Sequence, residues 1–190
     1  MRSLLLSCLA LVLSGCVLAP QTISLSEQVE VQGTTSEQRD ALVRVVDNRE
    51  GTDDNALGHR GGRAPDLSPV LSHKPLSRTL TSRMQESLTS LGFGADSGLE
   101  PIKVQLEVDT FSYRCNESII VNECGIEMRF SITVINDGRT FKKPYGIKEV
   151  RSLAASPVAE YNEQWINEVL NKVWRYMFDD AELKEALGVI

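Results

Sequence analysis

Histidine is almost missing from this chain: its 190 residues include two, His59 and His73, alongside four cysteines. A Ser-His-acid triad would have to use one of those histidines. No serine sits in a Gly-x-Ser-x-Gly turn, and Ser77, Ser82, Ser87 and Ser90 all fall on one helical stretch. No Cys-x-x-Cys occurs, and the cysteines lie far from both histidines in sequence, so no zinc-ligand spacing exists. The alternating acids and glycine of a calcium loop are absent, as is the Lys-Ser/Thr ending of a phosphate-binding loop. Positive charge is also short, with 20 Lys and Arg against 26 Asp and Glu, a formal net charge of −6. That balance argues against a nucleic-acid partner, and no basic cluster offers a grip on lipid headgroups. Past residue 16 no apolar run approaches the roughly 20 residues needed to cross a bilayer. No repeat or low-complexity tract is visible. The expectation is a protein without enzymatic activity, metal or cofactor.

What is present begins at the first residue. Arg2 precedes the apolar run Leu4 to Leu13, which ends in Leu13-Ser14-Gly15-Cys16. A charged start, an apolar middle and small residues before a cut are the layout of a secretory signal. With its cysteine directly after Leu-Ser-Gly, the segment resembles the lipobox of bacterial lipoproteins. That resemblance implies cleavage before Cys16, a diacylglycerol on its sulfur and a further acyl chain such as palmitate on its new amino group. Each buried methylene is worth about 0.8 kcal/mol and one myristoyl chain holds only marginally, so several chains make a lasting anchor. Aspartate after the cysteine marks inner-membrane retention in such proteins. Val17 stands here, which implies the periplasmic face of the outer membrane. The expected organisation is a signal peptide over 1–15, a lipidated amino terminus and extended tether over 16–38, with a strand near Val29 and Val31, and one periplasmic domain over 39–190.

Cys8 leaves with the signal and Cys16 is acylated, so Cys115 and Cys124 remain. In an oxidising compartment they are candidates for a disulfide closing a hairpin end. A loop that small contributes roughly 2–3 kcal/mol by chain entropy.

The near-continuous apolar run Ala41 to Val46 predicts a strand buried on both faces. Asn48 to Lys74, rich in glycine and charge and without periodicity, predicts a long loop. Leu76, Leu80, Met84, Leu88 and Leu91 form one helical stripe that starts at Pro75 and stops at Gly92. Ile102 to Val108 alternates with polar residues, and the phase then shifts to Phe111, Tyr113 and Cys115. That slip predicts a β-bulge near Asp109 and Thr110. The partner strand is Cys124 to Ile135, and Asn136-Asp137-Gly138 suits a type I′ turn. A following strand interrupted by Pro144 should be an edge, or be bulged there. Tyr161, Trp165, Ile166, Val169, Leu170, Val173 and Met177 predict a final helix, with Trp174 off the stripe at its half-buried margin. Asp179 with Glu182 suggests a capped short helix ended by Gly188. The expected fold class is α+β: a two-layer sandwich with a mainly antiparallel four-stranded sheet and two long helices on one face, in the order β-α-β-β-β-α.

The lipobox, Asp47-Asn48-Arg49 after a valine-rich strand, Leu57-Gly58-His59-Arg60 in the glycine loop, and the helix ending Leu91-Gly92-Phe93 together resemble the YajG-type family of outer-membrane lipoproteins. That resemblance implies an envelope location and brings no catalytic residues. Within the loop, Gly58-His59-Arg60-Gly61-Gly62-Arg63 could cradle an anion with backbone amides and the guanidiniums of Arg60 and Arg63. The plainer alternative is a solvated loop in which Asp47 and Arg49 pair to fix the strand end. Glu107 and Asp109 are adjacent outward carboxylates, a weak basis for glycoside hydrolysis. The leading expectation is an outer-membrane-anchored adaptor or accessory subunit that holds an envelope protein partner. The second is a binder of anionic glycan, lipopolysaccharide or peptidoglycan.

Overall fold

The computed structural model describes residues 18–37, 39–62, 64–94, 97–116 and 121–190. The expected signal peptide, Cys16 and Arg63 lie outside the described residues. The elements are β1 (Gln21–Ile23), β2 (Ala41–Asp47), β3 (Ala56–His59), β4 (Pro69–Ser72), α1 (Leu76–Ser90), β5 (Ile102–Asn116), β6 (Asn122–Asn136), β7 (Arg139–Leu153), α2 (Ala159–Phe178) and α3 (Ala181–Leu187).

The four-stranded antiparallel sheet is overturned. The described strands form one seven-stranded mixed sheet in the order β1-β4-β3-β5-β6-β7, with β2 also beside β5, and three helices accompany it. β5 organises the sheet. One of its edges pairs antiparallel with β6 along its length, from Lys103↔Ile135 to Asn116↔Glu123. Its other edge is shared between two parallel partners. β2 takes the first half, Ala41↔Ile102 to Asp47↔Val108, and β3 takes the far end, Gly58↔Tyr113 and His59↔Arg114. β4 runs antiparallel to β3, and β1 parallel to β4.

Two sequence expectations fail because strands of three or four residues show too little alternation to read, and a third fails at β2, which is longer. The stretch 48–74 is not a structureless loop, because β3 and β4 lie within it. The tether does not extend to residue 38. Ile23 is buried, Gln21 is buried and hydrogen-bonded, and Leu25, Val29 and Val31 pack against the core. β2 is not buried on both faces, because α1 covers only one of them among the described residues; Val43 and Val45 face the core while Leu42 is 51 % exposed.

The long strands follow their pattern. Ile102, Val104, Leu106 and Val108 of β5 are buried, the register shifts between Val108 and Thr110, and Phe111, Tyr113 and Cys115 continue the buried face. Asp137 and Gly138 turn the β6–β7 hairpin with φ of 48° and 74°, as a type I′ turn needs. Among the described strands β7 pairs only with β6, so Pro144 sits on an edge strand. Leu76, Leu80, Met84 and Leu88 of α1 join Trp165, Ile166, Val169, Leu170 and Val173 of α2 in the core over one sheet face. The other face carries the alternating polar residues. Trp174 is fully buried rather than marginal, its ring packed edge-on to Phe130. The short helix is capped by Asp180, one residue later than expected; its carboxylate accepts from the Glu182 amide.

At one end of the sheet, Thr34 and Ile190 exchange both backbone hydrogen bonds, and Thr35 bridges Val189.

Candidate functional site

The loop singled out from sequence is built into the sheet. β2 makes its last bond to β5 through the Asn48 amide and the Val108 carbonyl, and the chain then turns away. A gap remains along β5 before β3 begins, and the Arg49 side chain fills it. Its Nε and Nη2 donate to the Asp47 carboxylate at 2.8 and 2.6 Å, and Nη1 donates to the Ala56 carbonyl at 2.6 Å and the Phe111 carbonyl at 3.4 Å. Burial alone would raise the Asp47 carboxyl; hydrogen bonds from the Arg49 side chain and amide hold it below the ordinary carboxylate value. Local pairing of Asp47 with Arg49 is therefore realised, and it joins three strands.

The glycines that follow serve close approach rather than an anion cradle. Gly58 has a φ of 145°, and a Cβ there would stand 1.8 Å from the Tyr113 carbonyl oxygen; at Gly61 it would stand 2.3 Å from that of Cys115. Burial, with Arg114 near, pushes the His59 imidazole below its ordinary value, so it is neutral at neutral pH. Arg60 is committed to backbone: Nη1 donates to the Ala19 carbonyl at 2.9 Å and Nη2 to the Pro157 carbonyl at 3.1 Å. It staples the incoming chain to the start of α2. Of the expected anion-binding pair only Arg60 can be placed, and both its terminal nitrogens are engaged.

Beside that staple is a polar node the sequence reading missed. Asn162 is wholly buried; it accepts from the Tyr113 hydroxyl at 2.8 Å and donates to Gln21 Oε1 at 2.6 Å, while Gln21 donates to Pro157. The available signal was phase, since Asn162 lies three and four residues before Trp165 and Ile166 on the apolar face. Cys115 and Cys124, directly opposed across β5 and β6, form the expected disulfide beneath this node.

The second missed residue is Arg83 on α1, 1 % exposed. Its Nη1 donates to the Ser26 and Gln28 carbonyls at 2.8 and 2.9 Å, its Nη2 to Asn171 at 2.9 Å, and its guanidinium stacks 4.8 Å from the Trp174 ring centroid. Burial lowers its pKa to about 10, so it stays charged. The groove beside it, about 630 Å³, is rimmed by Glu27, Glu30 and Glu86. Arg83 thereby clamps the strap 24–30 across α1 and α2.

The outward carboxylates are also engaged. Glu107 accepts from Lys142 and Gln105, both at 2.8 Å, and Asp109 accepts from Ser131 at 2.6 Å. Among the described residues no three metal-ligating side chains cluster, and no helix is long and apolar enough to cross a membrane.

The fold has solved relatives. Protein XCC0632 of Xanthomonas campestris, from family DUF330, is 13 % identical, with 87 % of this chain and 99 % of that one covered at a TM-score of 0.51. The hypothetical protein CT253 of Chlamydia trachomatis is 10 % identical over 80 % and 96 % of the two chains, at a TM-score of 0.38. A putative neuraminyllactose-binding hemagglutinin homolog of Helicobacter pylori is 9 % identical over 86 % and 98 %, at 0.37. No curated protein matches the sequence. The model of a family described as uncharacterized lipoprotein, Lipoprotein_16, matches residues 28–188, nearly the whole of the sheet and helices just described, and the chain belongs to that lipoprotein family.

Proposed function

We propose that this lipoprotein is acylated on Cys16, stands on the periplasmic face of the outer membrane, and acts there as a non-enzymatic accessory subunit of an envelope assembly, as its resemblance to YajG-type proteins suggests. The match to a lipoprotein family over residues 28–188 is the observation that carries this reading. The lipobox Leu13-Ser14-Gly15-Cys16 and Val17 supply the anchor and the choice of membrane. The engagement of the candidate polar groups supports a scaffold: Asp47 and Arg49 brace strands, Arg60 staples backbone, and Glu107 pairs with Lys142. What the domain offers a partner is surface. The sheet face away from the helices presents Lys103, Lys142, Lys148 and Val150, and β7 leaves fifteen residues of edge open to an added strand. The anionic-glycan reading has less support, because Arg60 is already used internally.

Photo-crosslinking amino acids at Thr140, Lys142 and Val150 test the proposal in intact cells. The same discrete protein adduct is expected at these positions and not at Tyr176, which is 61 % exposed on α2. Identical adduct patterns at all four positions, or none, would overturn the accessory role. Labelled palmitate should be incorporated into the native protein and not into Cys16→Ser.

A further inference from the structure

The direction of every strand fixes what lies at each end of the sheet. β5 ends at Asn116 where β6 begins at Asn122 and β7 ends at Leu153. β3, parallel to β5, ends there at His59; β4, antiparallel to β3, starts there at Pro69; β1, parallel to β4, starts there at Gln21. The start of α2 joins them, since the Pro157 carbonyl accepts from both Gln21 and Arg60. The chain therefore leaves toward Cys16 from this end and no other.

The connection is short. Arg60 holds the Ala19 carbonyl at 2.9 Å, so three residue steps separate that point from residue 16. Three extended residues reach at most about 11 Å. The headgroup layer of one leaflet is itself roughly 5–8 Å thick, so an acylated Cys16 brings this end of the sheet to headgroup depth. Three large apolar side chains are exposed there: Leu67 on the turn between β3 and β4 and Val158 at the entry to α2, each 60 % exposed, and Val121 just before β6, 39 % exposed. Charge at this end is balanced among the described residues, with Arg60, Arg114 and Arg151 against Asp66, Glu123 and Glu160.

We propose that this end of the sheet is seated on the leaflet, with Leu67 and Val158 at the boundary between headgroups and acyl chains and the strands standing away from the membrane. The inference rests on acylation of Cys16 and adds an orientation to it. Seating is driven by short reach and apolar contact, since balanced charge gives no net attraction to anionic lipid. The fifteen-residue β5 then carries the opposite end, with Leu99 and the Asp137-Gly138 turn, roughly 45 Å outward.

The test uses the full lipidated protein in vesicles of phosphatidylethanolamine and phosphatidylglycerol. A fluorophore is attached at Leu67→Cys, Val158→Cys or Leu99→Cys, and quenching by nitroxide-labelled lipid is read. At least threefold stronger quenching is expected at 67 and 158 than at 99. Equal quenching at the three sites in protein that floats with the vesicles overturns the seating and leaves the anchor standing. Failure to float, with no fatty acid on Cys16 by mass spectrometry, overturns both. Ten Gly-Ser residues inserted between Val17 and Leu18 should bring quenching at 67 down toward the level at 99; unchanged quenching overturns the part assigned to short reach.

Discussion

Replacing Arg49 by alanine is the sharpest probe of how β5 changes partners. The guanidinium is 6 % exposed and its partner carboxylate 16 %. Truncation leaves Asp47 charged and unpaired in the gap and strips the Ala56 carbonyl of its donor. Breaking a buried pair from one side costs about 3–5 kcal/mol. Water can reach Asp47 more readily than a fully enclosed carboxylate, which places the effect near the lower figure, about 3 kcal/mol. In urea titrations of the mature chain carrying Cys16→Ser, an m-value of about 2 kcal/mol per molar turns that into a midpoint lowered by about 1.5 M. Asp47→Ala should cost less, because Arg49 keeps its two carbonyl acceptors. The double variant should be more stable than Arg49→Ala alone, giving a coupling of at least about 1 kcal/mol. Arg49→Lys should recover little, since an ammonium cannot span carboxylate and carbonyls as the planar fork does. An Arg49→Ala midpoint that yields less than about 0.5 kcal/mol of destabilisation, or strictly additive changes, would mean the residue is a solvated surface group and the fork needs no plug.

Two further outcomes can be checked on the same soluble chain. Gly58→Ala should fail to fold or lose more than about 4 kcal/mol, because its Cβ meets the Tyr113 backbone; Gly51→Ala, also left-handed but with nothing within 4 Å, should cost only about 1–2 kcal/mol, and equal losses in urea titration would refute the close-approach account. Asp47, Glu149 and Asp180 are held below their ordinary values of 3.8, 4.5 and 3.8, so they bind fewer protons folded than unfolded. Their stabilisation is complete above those values and is lost as pH falls through the folded ones; His59, lowered from 6.5 by burial, adds an earlier loss, so the urea midpoint should be level above about pH 7, decline gently below about pH 6.5 and fall more steeply below about pH 4; a midpoint that rises on acidification would contradict this.

Long periodic elements were legible in the sequence because each residue repeats the same physical instruction. β5 and β6 alternate over fifteen residues, and the phase slip at Asp109 marks the bulge directly. The Asp137-Gly138 turn, the edge position of Pro144 and the Cys115–Cys124 bridge are likewise local consequences of backbone chemistry. β1, β3 and β4 were not legible. Three or four residues hold too little pattern, and each strand exists because a partner distant in sequence presents an edge. β2 misled for a different reason: Leu42 and Val46 suggest two-sided burial, yet a helix covers only the face that carries Val43 and Val45, so composition alone overstated its burial. Arg83 and Asn162 are polar residues in phase with apolar stripes, and only the backbone carbonyls and hydroxyls that meet them reveal their use as clamps. The Gly-His-Arg-Gly-Gly sequence suggests an anion cradle from residue types alone; only the presence of β5 beneath it shows why side chains are excluded there.

The stitch between the strap and the last described residues has a bearing on assembly order. Ser36 and Gly188, which share a backbone bond there, are 152 positions apart, and Thr34 waits likewise for Ile190. During synthesis, residues 33–36 emerge early and lack a counterpart until almost everything downstream has been made. The Ser26 and Gln28 carbonyls wait a shorter interval for Arg83, 57 and 55 positions on, and β1 likewise waits for β4. Contacts that close such long loops form late. The amino-terminal strap is thus among the first parts of the domain to appear and among the last to settle.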